Sequence, residues 1–236
     1  MILVLETEVD ADGRYFVPEI RRHLEAAGAT VRVYPYADFG GRPDALDDGR
    51  SPSSASGTSS RTVDDADAVV ISGSTAGVYE TDAHPWMDDL RRLVRELRDD
   101  RVPTLGICFG HQLINDALGG HVEHRGLRKG IETVRFGDDP LFDGVGPRIP
   151  VVHGDFVTDL GDGLVPVADA DYHEYVATRH RDAPIRTVQY HPELTASLLP
   201  RIDADFGWPD DPDDRDFSNV TAARTLANFA ALAGEA

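Results

Sequence analysis

Three residues of this chain have the types and spacing that acyl-transfer chemistry needs. They are Cys108, which is the lone cysteine, and the pair His191 and Glu193, which form a His-x-Glu motif. Gly106 and Gly110 flank the cysteine in a Gly-x-Cys-x-Gly pattern, between an apolar run and an amphipathic one. This pattern predicts a sharp strand-to-helix turn that lifts the cysteine above a sheet as a nucleophile. The N-terminus of the following helix would favour the thiolate over the thiol.

His191 and Glu193 supply the base that such a nucleophile requires. Residues 185–190 alternate in character and predict a strand, so His191 stands at a strand end, where active sites of open α/β sheets collect. Residues two apart in an extended chain face the same side, so Glu193 can accept from one imidazole nitrogen while the other faces Cys108. Each motif alone has an ordinary alternative. The His-x-Glu pair could be a surface ion pair, and the cysteine could be an inert buried thiol. Together they favour nucleophilic catalysis.

The sequence Gly106-Ile-Cys-Phe-Gly-His-Gln112 resembles the nucleophile motif of the class I glutamine amidotransferases, and Gln189-Tyr-His-Pro-Glu193 resembles their histidine–glutamate motif. The resemblance covers most of the chain. It implies an enzyme that hydrolyses glutamine to glutamate and ammonia. Cys108 would be its nucleophile, His191 its general base and acid, and Glu193 the residue that orients the histidine.

Backbone amides near Gly73 and Phe109 are the predicted oxyanion hole. An apolar strand over 68–72 leads into the small-residue loop at Gly73, and Phe109 directly follows the nucleophile. Many members of the resembled family carry Gly-Gly-Pro where this chain has Ser72-Gly73-Ser74. That departure keeps the donors but leaves their geometry open, and an ordinary strand-to-helix turn is the alternative.

Val151-Val-His153-Gly-Asp155 is similar to the Ser-His-Gly-Asp segment in the amidotransferase part of GMP synthases, with Val152 in place of the serine. In those enzymes the segment helps to shape the glutamine pocket. Asp155 is therefore a candidate partner for the α-ammonium group of glutamine, with Gln112 as a second polar contact. A structural role is the alternative for both residues.

An ammonia acceptor is the part of this function that the sequence leaves open. No ATP-pyrophosphatase loop is recognisable, so transfer of ammonia would require a separate ATP-dependent synthetase subunit. Two other functions stay open: a stand-alone hydrolase of γ-glutamyl amines or peptides, and a noncatalytic binding module of the same fold.

The charge of the chain restricts its partners. Among 236 residues, 42 are acidic and 23 basic, giving a net charge of −19, and Lys129 is the single lysine. Such a balance argues against nucleic-acid and membrane binding and predicts a halophilic protein, because salt screens self-repulsion.

We expect no metal, since His121-x-Glu123-His124 lacks a second ligand cluster, and no cofactor. The apolar start at 1–5 is too short for a signal peptide, which favours a cytoplasmic enzyme.

Alternating strands and helices predict one α/β domain over 1–236, with a mostly parallel open sheet, helices on both faces, and a small antiparallel extension. The resemblance implies the flavodoxin-like fold of the family. We expect the Gly/Ser-rich stretch over 40–61 to be a mobile surface loop. We expect the acidic insertion over 203–216 to be a solvated loop. Strands are predicted over 2–6, 30–34, 68–72, 102–107, 131–136, 149–153, 164–168, 174–178 and 185–190, and helices over 16–27, 85–98 and 219–232.

Overall fold

A twisted sheet of eight strands lies at the centre of the structure, a computed structural model that describes residues 1–46 and 66–234. The strands of the described residues are β1 Ile2–Glu6, β2 Val31–Pro35, β3 Ala68–Ile71, β4 Thr104–Ile107, β5 His121–Thr133, β6 Arg135–Phe136, β7 Arg148–Asp159, β8 Leu164–Ala170, β9 His173–His180 and β10 Ile185–Val188. The helices are α1 Phe16–Ala26, α2 Tyr36–Phe39, α3 Trp86–Asp99, α4 Phe109–Ala117, α5 Leu199–Phe206, α6 Pro212–Arg215 and α7 Arg224–Gly234.

The strand order of the central sheet is β2-β1-β3-β4-β10-β9-β8-β6. Strands β2, β1, β3, β4 and β10 run parallel to one another, and β9, β8 and β6 extend the sheet in antiparallel fashion. Strands β5 and β7 form a separate antiparallel pair. Because β4 and β10 are parallel neighbours, the segments that follow them emerge at the same edge of the sheet.

Helices cover both faces of the sheet. On one face α1 and α7 bury apolar residues such as Ile20 and Phe229 against β1 and β4. On the other face α3 and α4 bury residues such as Leu93 and Leu113 against β1 and β3. The strands of the parallel part are continuous apolar runs because they are covered on both sides. The predicted α/β fold class, with its antiparallel extension, is confirmed.

The prediction of one strand over 131–136 is wrong. The structure ends β5 at Thr133 and begins β6 at Arg135, and the two strands belong to different sheets. Between them Val134 is buried and donates its amide to the Pro147 carbonyl, 2.8 Å away. The first half of β5 carries mostly exposed polar residues, so it lacks the apolar alternation by which a strand is recognised.

The acidic insertion over 203–216 differs from the solvated loop that its composition predicts. It contains the end of α5 and all of α6, and the Trp208 side chain between them is only 3% exposed. The indole of Trp208 donates to the Asp214 carbonyl at 2.9 Å, and Ile202 packs with it in a small apolar cluster. A few apolar residues therefore anchor a segment whose charges face outward.

Of the predicted mobile loop over 40–61, residues 47–61 lie outside the described residues. The part that is described, 40–46, includes a short 3-10 turn, Asp44–Leu46, with Ala45 and Leu46 buried. The predicted closing helix begins later than expected, at Arg224 rather than at residue 219, because turns occupy the residues between.

Gly106 and Gly110 let the turn between β4 and α4 approach its neighbours closely. A Cβ at Gly106 would lie 2.6 Å from the Gly110 carbonyl oxygen, and a Cβ at Gly110 would overlap the Ile71 carbonyl oxygen. Both obstacles are backbone atoms that cannot rotate away. The flanking glycines are thus required by packing around the turn that carries Cys108.

We expect Gly110→Ala to lower the free energy of unfolding by about 1–3 kcal/mol, the usual cost of overpacking. Urea unfolding followed by circular dichroism would measure it. Gly234→Ala is the matched control, since a Cβ there meets no described atom within 4 Å. Equal stability of the two variants would contradict the close approach of the turn to β3.

Candidate active site

Cys108 occupies a strained turn between β4 and α4. Its φ of 51° and ψ of −103° lie in a region that residues with a side chain rarely adopt. Such strain costs on the order of 1–3 kcal/mol and persists only where the surroundings enforce it. Here the Cys108 amide donates to the Val188 carbonyl at 2.9 Å, which ties the turn to the end of β10. The side chain lines a cavity although the residue is only 5% exposed.

His191 and Glu193 follow the end of β10 and lie beside this turn. The Nδ1 atom of His191 is 2.8 Å from Oε1 of Glu193, and both side chains are buried. The Val152 carbonyl oxygen lies 3.3 Å from Nε2 of His191 and 3.8 Å from Sγ of Cys108. The structure thus brings together the three residues that the sequence predicts as nucleophile, base and orienting carboxylate.

The surroundings of His191 favour its protonated form. Burial alone would lower the pKa of His191, but the negative charges of Cys108 and Glu193, with hydrogen bonds to both, outweigh it and raise the pKa well above its usual value. Each ring nitrogen faces an acceptor oxygen, one of a carboxylate and one of a carbonyl, so each can donate a proton. A protonated His191 can thus donate to Glu193 through Nδ1 and toward the Cys108 side of the site through Nε2.

The predicted oxyanion donors lie next to these groups. A Cβ on Gly73 would stand 3.2 Å from Cε1 of His191 and 3.7 Å from Cβ of Cys108, so the backbone of Gly73 borders both side chains. Phe109 is the first residue of α4, and its amide has no acceptor within the helix. The Gly73 amide likewise donates to no acceptor in residues 1–46 and 66–234. Both amides are therefore available to a ligand.

Gln112 and Asp155 both line the Cys108 cavity, with different surroundings. The side-chain amide of Gln112 donates to the Asp155 carbonyl at 3.0 Å and to Oε1 of Gln189 at 3.3 Å, so it holds the wall of the cavity together. Asp155 keeps its carboxylate at the cavity, where Oδ1 accepts from Nδ1 of His124 at 2.8 Å and from the Tyr79 hydroxyl at 3.2 Å.

The Cys108 cavity has a volume of about 380 Å³, enough for a small amino acid. Carboxylates of Glu8 and Asp155 lie on its wall, beside apolar side chains such as Val152 and Leu127. Negative charge combined with an apolar lining suits a small zwitterion that has a cationic ammonium group and a short aliphatic stem.

Phe16 is a residue of the site that sequence reasoning missed. Its ring stacks on the His191 imidazole, with centroids 4.9 Å apart and planes at 30°. Tyr15 in turn stacks on Phe16, with ring centroids 4.6 Å apart. Both residues lie at the start of α1, far from either motif in sequence, and no local pattern indicates their contact with the histidine.

Phe206 also lines the cavity and brings the acidic insertion to the site. Its carbonyl accepts from Nζ of Lys129 at 2.6 Å. A single lysine in a chain that otherwise uses arginine is a compositional signal that could have drawn attention to this contact.

His111 is close to Cys108 in sequence, but its side chain is directed away from the cysteine. Its Nδ1 atom lies 2.6 Å from the hydroxyl oxygen of Thr187.

Neither a metal-ligand cluster nor a membrane-spanning helix occurs in the described part of the chain. Residues 1–46 and 66–234 hold no group of three or more histidine, cysteine, aspartate or glutamate side chains placed to bind a metal ion. None of their helices is long and apolar enough to cross a membrane.

Comparison with known proteins identifies a family model and several relatives that match the sequence of this chain. Residues 13–202 match the family model described as glutamine amidotransferase class-I. A GMP synthase (glutamine-hydrolyzing) from Thermosipho africanus is 37% identical over 131 residues, which cover 54% of this chain and 24% of that protein. A glutamine-hydrolyzing GMP synthase subunit from Methanosarcina mazei is 43% identical over 104 residues, which cover 42% of this chain and 54% of that protein. The match thus spans about half or less of each relative.

Solved structures share the fold at low identity. A glutamine amidotransferase from Thermotoga maritima aligns with a TM-score of 0.71 and 18% identity, covering 100% of this chain and 99% of that one. A glutamine amidotransferase from Methylobacillus flagellatus aligns with a TM-score of 0.65 and 15% identity, covering 100% and 94%. At such identities the likeness supports the fold alone.

We expect His191 to stay protonated at pH 7, because its pKa is raised. Stabilisation by this proton is complete below the unfolded pKa of about 6.5 and is lost as the pH rises through the folded value. NMR titration of the labelled imidazole would measure the pKa. Cys108→Ala and Glu193→Gln should each lower it, since each removes a negative charge. A wild-type pKa near 6.5 would contradict the ion pair.

Proposed function

Since the chain belongs to the class I glutamine amidotransferases, we propose that it hydrolyses glutamine to glutamate and ammonia through a thioester on Cys108. The observation that carries the proposal is the buried cluster of Cys108, His191 and Glu193 beside two free backbone amides. A noncatalytic module of this fold would have no use for a buried histidine whose protonation depends on the charge of a cysteine.

In the first half of the reaction, the Cys108 thiolate attacks the side-chain carbonyl carbon of glutamine. A C–S bond forms, and the carbonyl π electrons move to oxygen, where the Gly73 and Phe109 amides stabilise the oxyanion. As the tetrahedral intermediate collapses, the C–N bond breaks. The imidazolium of His191 donates its Nε2 proton to the departing nitrogen, which leaves as ammonia.

The second half releases glutamate. Neutral His191 takes a proton from water, and the resulting hydroxide equivalent attacks the thioester carbonyl. The C–S bond breaks as the second tetrahedral intermediate collapses, which regenerates the thiolate and the imidazolium. Glu193 stabilises the imidazolium in both halves and fixes the plane of the ring through its 2.8 Å contact with Nδ1.

Glutamine is held, in this proposal, by Asp155 through its α-ammonium group, and Gln112 keeps the Asp155 backbone in place. The Asp155 carboxylate lines the cavity, where Oδ1 accepts from His124 and Tyr79. Within residues 1–46 and 66–234 no donor reaches its Oδ2, which supports a role for that oxygen in binding the substrate. The direct contact between Gln112 and substrate that the sequence suggests is less favoured, since the side-chain amide of Gln112 already has two acceptors.

The ammonia passes to a separate ATP-dependent synthetase subunit in a GMP-synthase-like reaction of purine biosynthesis. Supporting this, curated relatives from Methanosarcina mazei and Methanosarcina barkeri are named as separate subunits of a glutamine-hydrolyzing GMP synthase. The mouth of the Cys108 cavity is bordered by the exposed side chains of Tyr79 and Leu127, which a docked synthetase would cover.

We expect the protein to release glutamate from glutamine in high potassium chloride, and a candidate synthetase subunit to raise the rate. Cys108→Ala should abolish release, since the nucleophile is lost. Enzymatic glutamate detection would follow the reaction. The salt is included because counter-ions screen the self-repulsion of a net charge of −19.

The same assay separates the competing functions. Release of glutamate from γ-glutamyl amines or peptides, with no release from glutamine under any pairing, would identify a stand-alone γ-glutamyl hydrolase. No release from any substrate by well-folded protein, together with ordinary slow alkylation of Cys108, would identify a binding module.

A further inference from the structure

Resting on the proposed function, we infer that Glu8 is a positioning residue for the oxyanion loop, the stretch 73–77 that follows β3. Glu8 comes two residues after β1 and belongs to neither catalytic motif. Its carboxylate holds the backbone of this loop in the geometry that the Gly73 region needs to meet an oxyanion.

The carboxylate of Glu8 is buried and fully engaged with backbone and hydroxyl donors. The Thr75 amide donates to Oε2 at 3.0 Å and to Oε1 at 3.2 Å, and the Thr75 hydroxyl donates to Oε1 at 2.6 Å. The Asp10 amide donates to Oε1 at 2.9 Å. Glu8 is only 5% exposed, so these bonds form away from bulk water, where charge-assisted hydrogen bonds are strong.

Thr7, the preceding residue, fixes the other end of the same loop. Its hydroxyl lies 3.0 Å from the Ser72 carbonyl oxygen and 3.1 Å from the Gly73 carbonyl oxygen, and its amide donates to the Ser72 hydroxyl at 3.0 Å. A peptide unit is planar, so holding the Ser72 carbonyl toward Thr7 directs the following amide, that of the oxyanion donor Gly73, away from Thr7. Thr7 and Glu8 therefore restrain both peptides that flank Ser74, one from each side.

This restraint compensates for a feature of the sequence. Where family members carry Gly-Gly-Pro, this chain has Ser72-Gly73-Ser74, which leaves the loop without the fixed φ of a proline. Small residues lose much conformational freedom when ordered, so their donors need an external clamp to be preorganised. Two adjacent residues after β1 supply that clamp through hydrogen bonds.

Electrostatics argues against a direct role for Glu8 in stabilising the transition state. A carboxylate near a developing oxyanion repels it, so the benefit of Glu8 must come from where it holds the Thr75 backbone. Glu8 also lines the Cys108 cavity, and the alternative role, binding the α-ammonium group of glutamine, makes a different kinetic prediction.

The test compares Glu8→Ala and Glu8→Gln with wild type in the full chain, with the synthetase subunit present if wild type requires it. We expect kcat for glutamate release to fall at least tenfold in Glu8→Ala, with KM changed less than about twofold, because the loss of a preorganised oxyanion donor acts on the transition state. The kcat of Glu8→Gln should fall less, since the side-chain oxygen of glutamine still accepts from Thr75. If Glu8→Ala does not fold, the kcat of Glu8→Gln still tests the inference.

Alkylation of Cys108 by iodoacetamide is the second measurement, because displacement at an sp³ carbon forms no oxyanion. Its rate should match wild type in both Glu8 variants. Asp12→Asn is the control: it removes an exposed carboxylate four residues further along the chain, on a residue that is not among the hydrogen-bond partners of Glu8 in the described part of the chain. It should leave both rates unchanged.

Three results would overturn the inference while wild type stays active. A raised KM with unchanged kcat would make Glu8 a substrate ligand. Alkylation slowed in parallel with kcat would show damage to Cys108 itself. Unchanged kcat in Glu8→Ala would show that the loop needs no clamp. Absence of Cys108-dependent glutamate release by wild type is a separate outcome, since it overturns the proposed function on which the inference rests.

Discussion

The close contact of the β4–α4 turn with the strands on either side of β4 is the constraint on which the site depends. On the β3 side, the Gly110 amide donates to the Ser72 carbonyl at 3.1 Å, and on the β10 side, the Cys108 amide donates to the Val188 carbonyl at 2.9 Å. These two bonds hold Cys108 at its unfavourable φ. They also fix its neighbours, because the oxyanion loop continues from β3 and His191 follows β10.

A second constraint is the burial of Glu193, which is inaccessible to solvent. A carboxylate removed from water is destabilised unless it is paired, and removing the partner of such a pair costs about 3–5 kcal/mol. Oε2 of Glu193 has no hydrogen-bond partner in the described part of the chain, so its charge is directed mainly at His191 through Oε1. Pairing with Glu193 thus favours the protonated imidazole, the same state that the proposed mechanism requires of His191.

Local patterns in the sequence predicted the parallel strands and brought Cys108, His191 and Glu193 into one hypothesis, since strand ends and motif spacing are local properties. Contacts between distant segments were not predictable in this way. Glu8 meets Thr75 across 67 positions, and Phe16 at the start of α1 stacks on His191 after β10. The start of β5 and the insertion around Trp208 were missed because polar composition concealed a pairing register and a buried anchor.

Covalent catalysis by Cys108 can be tested by detecting a glutamyl group on its sulfur. Protein mixed with glutamine, quenched in acid during turnover and digested, would be examined by mass spectrometry. If Cys108 is the nucleophile, the peptide that contains it gains the mass of one glutamyl group, and the gain disappears when turnover is complete. Sustained release of glutamate with no adduct on Cys108 at any time would contradict covalent catalysis and point to direct attack by water.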